Sequence, residues 1–406
     1  MEITLLEFLF RNKERPIDIN KITIDDAIYM LKTGVFDEYF DREKVVKCLK
    51  RFKDNFFEEY YGKEFCPRCL SANVEEIKSY EGVKKSFRCK DCKKKFKHRG
   101  IVSTHFEDWV ILKIVTGIYH GETMSKIHKD LEEELESREK EFKARTKIPS
   151  EKTLYDLGSR IADKLRKVMD FLILVVGGLK CQRIFCDDAF SRKRRKKNRG
   201  IQENLVRGKV FTKSKRKRKD GQYYYVIVIL DADTRFIIEA YASKTRDKIS
   251  FSVAFSQAKE KLSGMPKSVR GDKLKSMEVA AEKYFPKSKV QHFFQKLKPY
   301  EKEDLNRIER RIRDLRRTIG KRRKYGTLKV LRTYVTIAVM GINFLEPMDA
   351  LGGRTPAQAI GIPYPFREVG PWEAFLEWTR TLEIILPKIL KAGLRKIPGT
   401  LLSPSH

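Results

Sequence analysis

Long apolar stretches are missing from this sequence of 406 residues. The longest, FLILVVGGL at 171–179, is about half of the roughly 20 residues that a membrane-spanning helix needs. The first ten residues, MEITLLEFLF, contain acids and no basic leader, and no small-residue cleavage site follows them, which argues against a secretory signal. We therefore expect a cytoplasmic protein that does not enter a membrane.

Acidic residues are outnumbered by basic ones, and cysteines are few. The chain has 55 aspartates and glutamates against 88 lysines and arginines, which leaves a net charge of +33. This excess indicates a polyanionic partner, above all nucleic acid in the nucleoid, rather than a small-molecule substrate. Seven cysteines in a chain of this length do not make a disulfide scaffold. The hydrophobic content of 41% supports the cores of two or three domains.

Four of the cysteines form two CxxC pairs. Cys66 and Cys69 are separated by 19 residues from Cys89 and Cys92. The segments between the pairs, NVEEIKSY and KKSFRC, alternate as strands do and predict a β-hairpin that brings the pairs together. Four thiolates satisfy the tetrahedral coordination of Zn²⁺, so we predict a structural zinc ribbon. Chance pairs and a redox motif are the alternatives.

Three helices are predicted between residues 104 and 172. Their sequences are FEDWVILKIVTGIY, TMSKIHKDLEEEL and EKTLYDLGSRIADKLRKVMDFL, and Ser150 is the expected N-cap of the third. Helices in this order fit either a helix-turn-helix unit, whose last helix enters the major groove of DNA, or an ordinary bundle. In the first case Lys152, Tyr155 and Arg160 are candidate DNA contacts.

Strand periodicity begins at residue 181. The runs 181–188, 223–233 and 235–243 predict three consecutive strands, after which helices alternate with the short strands KSVRGD and KVQHFF. A meander followed by such alternation predicts a mixed sheet covered by helices, in the order of an RNase H-like fold. We expect Asp231 and Asp233, where the last two runs meet, to be turn residues.

A basic insertion at 191–220 separates the first two strands of this sheet. The runs RKRRKKNRG and KSKRKRKDG predict a clamp for the DNA backbone, or else a solubilising loop. The candidate DNA contacts in it are Arg192, Arg194, Arg195, Lys215 and Arg216.

Three acids at the ends of predicted strands or on a predicted helix are candidates for metal-dependent phosphoryl transfer, although taken singly such residues are more often salt-bridge partners or turn residues. That chemistry uses hard Mg²⁺ or Mn²⁺ ions held by carboxylates from separate secondary-structure elements. Asp187 ends the first strand with Asp188 beside it, Asp272 ends KSVRGD, and Glu309 lies on a predicted helix at 302–319. Asp187 precedes Asp272 by 85 residues, and Asp272 precedes Glu309 by 37.

The helix 302–319 has a clear apolar stripe. The stripe consists of Leu305, Ile308, Ile312, Leu315 and Ile319. At about 100° per residue, Glu309 falls roughly 80° from the centre of the stripe, so we expect it at the rim of the core. Arg313 and Arg316 follow on the same flank and are candidate contacts to DNA phosphates.

The chain resembles insertion-sequence transposases of the DDE type over roughly residues 60–362. The most specific motifs are CPRC, CKDC, CDDAF, RGDK, NRIER and LGGRTPAQAIG. The resemblance implies an RNase H-like catalytic domain that follows a zinc ribbon and a helix-turn-helix domain. It also implies Mg²⁺- or Mn²⁺-dependent cutting at transposon ends and joining of the 3′-hydroxyl to target DNA. By motif, Asp187, Asp272 and Glu309 would be the catalytic, magnesium-binding triad.

Two departures from the family pattern concern the triad. Relatives often show Asp-Glu-Thr where this chain has Asp187-Asp188-Ala189, so Asp188 is an alternative first ligand. Lys273 follows Asp272 where glycine is common. Two other functions stay open, a catalytically inactive DNA-binding protein derived from a transposase and an RNase H-like nuclease.

The expected domain order follows from these motifs. We predict a helical module of unknown role at 1–60, a zinc ribbon at 61–100, a helix-turn-helix domain at 101–175, a catalytic domain at 180–345 and a C-terminal tail or helix at 346–406. A homodimer that bridges two transposon ends is the simplest assembly.

Overall fold

The computed structural model describes residues 22–34, 40–77, 86–97, 106–142, 148–193, 223–271, 274–292, 299–320 and 324–394. The chain divides into two compact units. We call them the helical unit, which comprises Met1–Cys181, Lys261–Gly264 and Thr336–His406, and the sheet unit, which comprises Gln182–Glu260 and Met265–Val335.

The helices, in chain order, are α1 (Ile24–Thr33), α2 (Arg42–Asp54), α3 (Asp108–Tyr119), α4 (Met124–Phe142), α5 (Glu151–Val175), α6 (Lys248–Lys261), α7 (Lys275–Tyr284), α8 (Pro299–Ile319), α9 (Leu328–Met340), α10 (Pro356–Ala359) and α11 (Pro371–Gly393). The strands are β1 (Val74–Ile77), β2 (Ser86–Cys89), β3 (Lys95–Lys97), β4 (Arg183–Lys193), β5 (Tyr223–Asp231), β6 (Ile237–Ser243), β7 (Ser268–Gly271), β8 (Lys289–His292) and β9 (Lys324–Tyr325).

Helices from the two ends of the chain share one core in the helical unit. The rings of Phe52 on α2 and Trp378 on α11 stack with their centroids 6.0 Å apart. A Cβ on Gly393 would lie 2.3 Å from Cγ2 of Val45, so the close approach of α11 to α2 requires glycine there. The segments that we predicted as an N-terminal module and a C-terminal tail therefore contribute to one core.

The cysteine-rich segment forms a small three-stranded sheet. β1 and β2 pair antiparallel, with Val74 opposite Cys89, and β3 pairs with the other edge of β2. Phe87 and Phe96 sit on one face with ring centroids 5.7 Å apart. The predicted β-hairpin is confirmed.

Three helices follow in the predicted order. α3, α4 and α5 pack against one another, and Gly121, with a φ of 76°, lies in the turn between the first two. The backbone N–H of Thr153 donates to Oγ of Ser150 (3.4 Å), which confirms Ser150 as the N-cap of α5. This packing suits a helix-turn-helix unit and an ordinary bundle equally well.

The sheet unit contains the predicted mixed sheet. Its strand order is β6-β5-β4-β7-β8, with β9 added at the far end of β4. β4, β5 and β6 pair antiparallel as a meander, whereas β7 and β8 run parallel to β4. The alternation of helix and strand after β6 explains this order, because a parallel neighbour needs a crossover connection.

One helical segment is apolar enough to resemble a membrane span. It runs from Leu328 to Leu345, and 72% of it is buried inside the protein. Its apolar residues therefore belong to the core.

Candidate catalytic and metal sites

The sheet opens at Asp187. β4 pairs with β7 from Arg183 to Cys186 and meets β9 again at Arg192. Residues 187–191 have β5 on one side and no paired strand on the other within the described part of the chain. Asp187 is half-buried. It is therefore the first residue of the opening, beside the carboxyl end of β7, where sheets of this kind hold ligands.

Asp188 has a different environment from its neighbour. Its side chain is only 6% exposed, and its Oδ1 lies 2.6 Å from Nη2 of Arg246. Its backbone N–H donates to Oδ1 of Asp187 (2.7 Å). Because successive side chains of a strand point to opposite faces, the two carboxylates lie on opposite faces of the sheet.

The strand register shows which helix covers the face of Asp188. Position 190 on β4 pairs with Tyr225, which pairs with Ser243 on β6, so Ser243 shares the face of Asp188. The hydroxyl of Ser243 is hydrogen-bonded to that of Ser250 on α6 (2.7 Å). Helix α6 therefore covers the face of Asp188, and Asp187 points to the other face.

Helix α8 packs against β4 and carries Glu309. The buried residues Ile308, Ile312, Leu315 and Ile319 confirm its apolar stripe, while the side chain of Leu305 lies outside the described residues. Glu309 is exposed, so its predicted position at the rim of the core is wrong. The buried face of α8 extends instead to the flank opposite Glu309. There the side chain of Arg311 is 2% exposed and donates to the carboxylate of Asp314 (3.0 Å).

The second predicted carboxylate, Asp272, lies outside the described residues. Gly271, which precedes it, pairs with Cys186 on β4 and with His292 on β8. A Cβ on Gly271 would lie 2.9 Å from the carbonyl oxygen of Cys186, so the strand needs glycine at this point.

Other acids of the sheet unit have structural partners. The carboxylate of Asp231 accepts a hydrogen bond from the backbone N–H of Thr234 (2.9 Å), and that of Asp233 lies 2.6 Å from Nη2 of Arg183. Both are turn residues, as expected. Asp247 caps α6 by accepting from the backbone N–H of Ser250 (2.8 Å), and this hydrogen bond lowers the pKa of its carboxyl group.

The predicted DNA contacts fall in three groups. On α5, Lys152, Tyr155 and Arg160 are exposed. On α8, Arg313 is exposed and Arg316 is half-buried. In the basic insertion, the backbone of Arg192 pairs with Lys324; the side chain of Arg192 and the whole of Arg194, Arg195, Lys215 and Arg216 lie outside the described residues.

The four cysteines of the small sheet converge. Cys66, Cys69, Cys89 and Cys92 have sulfur atoms that all lie within 4.8 Å of one another. The Sγ atoms of Cys66 and Cys92 are 3.4 Å apart, as are those of Cys69 and Cys89. Tetrahedral Zn²⁺ with bonds of about 2.3 Å would set its sulfur ligands about 3.8 Å apart, close to these distances.

Turns of the same kind present the two CxxC pairs. Leu70 follows the first pair and Lys93 the second, and each has a φ of 60°. Burial raises the pKa of the Cys66 thiol and raises that of Cys69 to about 12, whereas a hydrogen bond from the backbone at Lys94 lowers that of Cys92 to about 7. Crowded thiols of this kind become thiolates together only when a cation offsets their charge.

One family model matches part of the chain. The family model DDE_Tnp_IS240, described as a DDE domain, matches residues 215–344, a range that includes Asp272 and Glu309 and begins after Asp187. Among curated proteins there is no match. Among solved structures, the chain is similar to the crystal structure of the Mos1 strand transfer complex, with 10% identity, a TM-score of 0.23, and coverage of 74% of this chain and 82% of that chain.

Proposed function

Residues 215–344 match a family model described as a DDE domain, and on this premise we propose that the protein is a DNA transposase. It would cut DNA at the ends of a transposon and join the freed 3′-hydroxyl to target DNA. The observation that carries the proposal is the position of Asp187 at the opening of an RNase H-like mixed sheet, against which the helix of Glu309 packs.

The donors at this opening suit a hard divalent cation. Asp187 offers carboxylate oxygens on the sheet face away from α6, and Mg²⁺ and Mn²⁺ prefer such ligands. Asp272 follows directly after Gly271, whose strand partner is Cys186. Asp187 follows directly after Cys186, so each aspartate is one residue beyond this pair of strand partners. Bound divalent ions would supply charge stabilisation at the scissile phosphate. Asp187, Asp272 and Glu309 would hold them.

The ion pair of Asp188 favours Asp187 as the first ligand. A carboxylate that neutralises a guanidinium and is nearly buried is a poor choice for an open metal site. Asp188 would instead fix the strand beside Asp187, because Arg246 ties it to the loop before α6. We therefore assign the metal to Asp187 and a positioning role to Asp188.

The exposed face of α8 suits the DNA strand that is cut. Asn306, Glu309 and Arg313 are all exposed there, at spacings of three and four residues that place them on one flank. The arginine would contact a phosphate beside the metal-binding glutamate, and positive charge there would orient the DNA without reading its sequence.

The helical unit would recognise the transposon ends. Zn²⁺ bound by the four cysteines would hold the small sheet folded. The exposed Lys152, Tyr155 and Arg160 on α5 would contact DNA if α3–α5 act as a helix-turn-helix unit. A homodimer would bring two ends together.

The decisive experiment incubates purified protein with labelled duplexes taken from the borders of its own transposon and Mg²⁺. We expect cleavage that exposes a 3′-hydroxyl, followed by joining of that end to a plasmid. Glu309→Gln should bind the same duplexes and neither cut nor join them. Tight, sequence-specific binding without any cleavage by the parent protein would favour the inactive DNA-binding protein. Cleavage of RNA–DNA hybrids alone would favour a nuclease.

A further inference from the structure

A basic groove lies in the helical unit, in a part of the chain to which no motif gives a role. It has a volume of about 350 Å³ and runs between helix α2 and the end of helix α5. Its lining residues are Arg42, Glu43, Val46, Lys47, Lys50, Val175 and Val176. We call it the α2 groove.

Cations outnumber acids among the residues that line the α2 groove. Three cations line it against a single acid, Glu43. Lys47 and Lys50 are exposed, and neither forms an ion pair with any residue in the described ranges. The other two lysines of this helix differ, because Lys44 lies 3.5 Å from Asp41 and Lys53 lies 2.7 Å from Asp54. Among the described residues, the two lysines of α2 without an ion pair are thus the two that line the groove.

The third cation of the groove is held in place. Nη1 of Arg42 donates to the carbonyl oxygen of Leu174 in the last turn of α5 (3.4 Å). That contact offsets the partial negative charge at the carboxyl end of a helix, which would otherwise repel an anion. The other lining residues, Val46, Val175 and Val176, are apolar.

This combination suits one chemistry. Lysines bind phosphates as point charges, and a deoxyribose can pack against apolar side chains such as the valines of this groove. We propose that the α2 groove binds the phosphodiester backbone of DNA, so that Lys47 and Lys50 each neutralise one phosphate. The inference takes from the proposed function only that the polyanion is DNA; it requires neither a metal at Asp187 nor cleavage.

The salt dependence of binding tests the groove. The logarithm of the binding constant falls with the logarithm of salt concentration with a slope of about −0.9 per phosphate neutralised. The probe is a labelled duplex of random sequence in buffer without Mg²⁺. The double variant Lys47→Gln/Lys50→Gln should therefore weaken the slope of the full-length protein by about 1.8.

Matched variants distinguish DNA binding at the α2 groove from an effect of the protein's overall charge. Lys44→Gln/Lys53→Gln removes the same charge from the same helix, and we expect less than half of that change in slope. Lys47→Arg/Lys50→Arg should keep the parent slope, since the positive charges stay in place. Circular dichroism should show the parent helix content in every variant, because all four lysines lie at the surface.

Two results would overturn the proposal. An equal change of slope in the two glutamine variants would show that only overall charge matters. An unchanged slope in Lys47→Gln/Lys50→Gln would show that DNA does not use the groove, and loss of binding to anionic lipid vesicles in the same variant would then identify a membrane surface as the partner. Neither result depends on whether the parent protein cuts transposon ends.

Discussion

The carboxylate of Asp188 lies 2.6 Å from the guanidinium of Arg246, although the preceding aspartate points to the opposite face of the sheet. Two adjacent acids therefore have different environments. One is nearly buried and neutralised by a cation, whereas the other lies half-buried where the sheet opens. This difference is the structural reason to assign different roles to them.

Substitution of the two aspartates should separate these roles. Asp187→Asn should lower strand cleavage by more than about 100-fold if Asp187 is the metal ligand that we propose, whereas Asp188→Asn should lower it by about 10–100-fold, as expected of a residue that orients a ligand. Single-turnover cleavage at a series of Mn²⁺ concentrations measures both. A larger loss for Asp188→Asn than for Asp187→Asn would reverse the assignment.

Loss of one clustered cysteine should release zinc. Cys69→Ser should purify without the single zinc ion that we expect in the parent protein, because three thiolates and a hydroxyl bind it poorly. Cys48→Ser is the matched control, since Cys48 is half-buried on α2 and lies outside the cluster. Elemental analysis measures the zinc content per chain of the two variants. Equal zinc content would exclude the four-cysteine cluster as the zinc site.

The cap of α6 predicts a pH-dependent stability. The pKa of Asp247 is lowered by the hydrogen bond from the Ser250 backbone, so the cap stabilises the fold above the ordinary carboxyl pKa and loses that effect as the pH falls through the lowered value. Asp247→Ala should cost about 1 kcal/mol at neutral pH, and the difference should shrink below about pH 4. Thermal unfolding across this range measures it. Asparagine caps helices but does not titrate, so the stability of Asp247→Asn should not show this pH dependence. A loss of stability of the same size at low pH in that variant would refute the role of the Asp247 carboxylate.

A buried ion cluster should stabilise the helical unit. Arg380 on α11 is 4% exposed, lies 3.1 Å from Oε1 of Glu64, and also pairs with Glu377. Arg380→Leu would leave two partly buried carboxylates without their cation, which should cost about 3–5 kcal/mol in the free energy of unfolding. Lys388→Ala, at an exposed position of the same helix, should change it by less than about 0.5 kcal/mol. Similar denaturation midpoints for the two variants would contradict this.

Local patterns in the sequence predict much of the fold. Alternation predicts the β1–β2 hairpin and the meander, and a 3- and 4-residue repeat predicts the buried face of α8. These features depend on side chains close together in the chain. Asp231 and Asp233 as turn residues also follow from local chemistry.

Long-range partners could not be predicted in this way. Arg246 is 58 positions from Asp188, and Trp378 is 326 from Phe52; no periodicity connects either pair. Whether Asp187 or Asp188 faces α6 depends on a register that shifts by a single residue, which the sequence leaves open. The exposure of Glu309 could not be predicted from the apolar stripe, because Arg311, an expected surface residue, extends the buried face of α8 on the flank opposite Glu309.

The most direct test of the central claim is to map where a bound metal lies along the chain. Fe²⁺ that replaces Mg²⁺, with ascorbate and peroxide, cleaves the backbone next to the site that holds it. We predict cuts near residues 187, 272 and 309 in the DNA-bound protein, all suppressed by excess Mg²⁺ and absent in Asp187→Asn. Cuts confined to one of these segments, or cuts that Mg²⁺ does not suppress, would show that the three acids do not share a metal site.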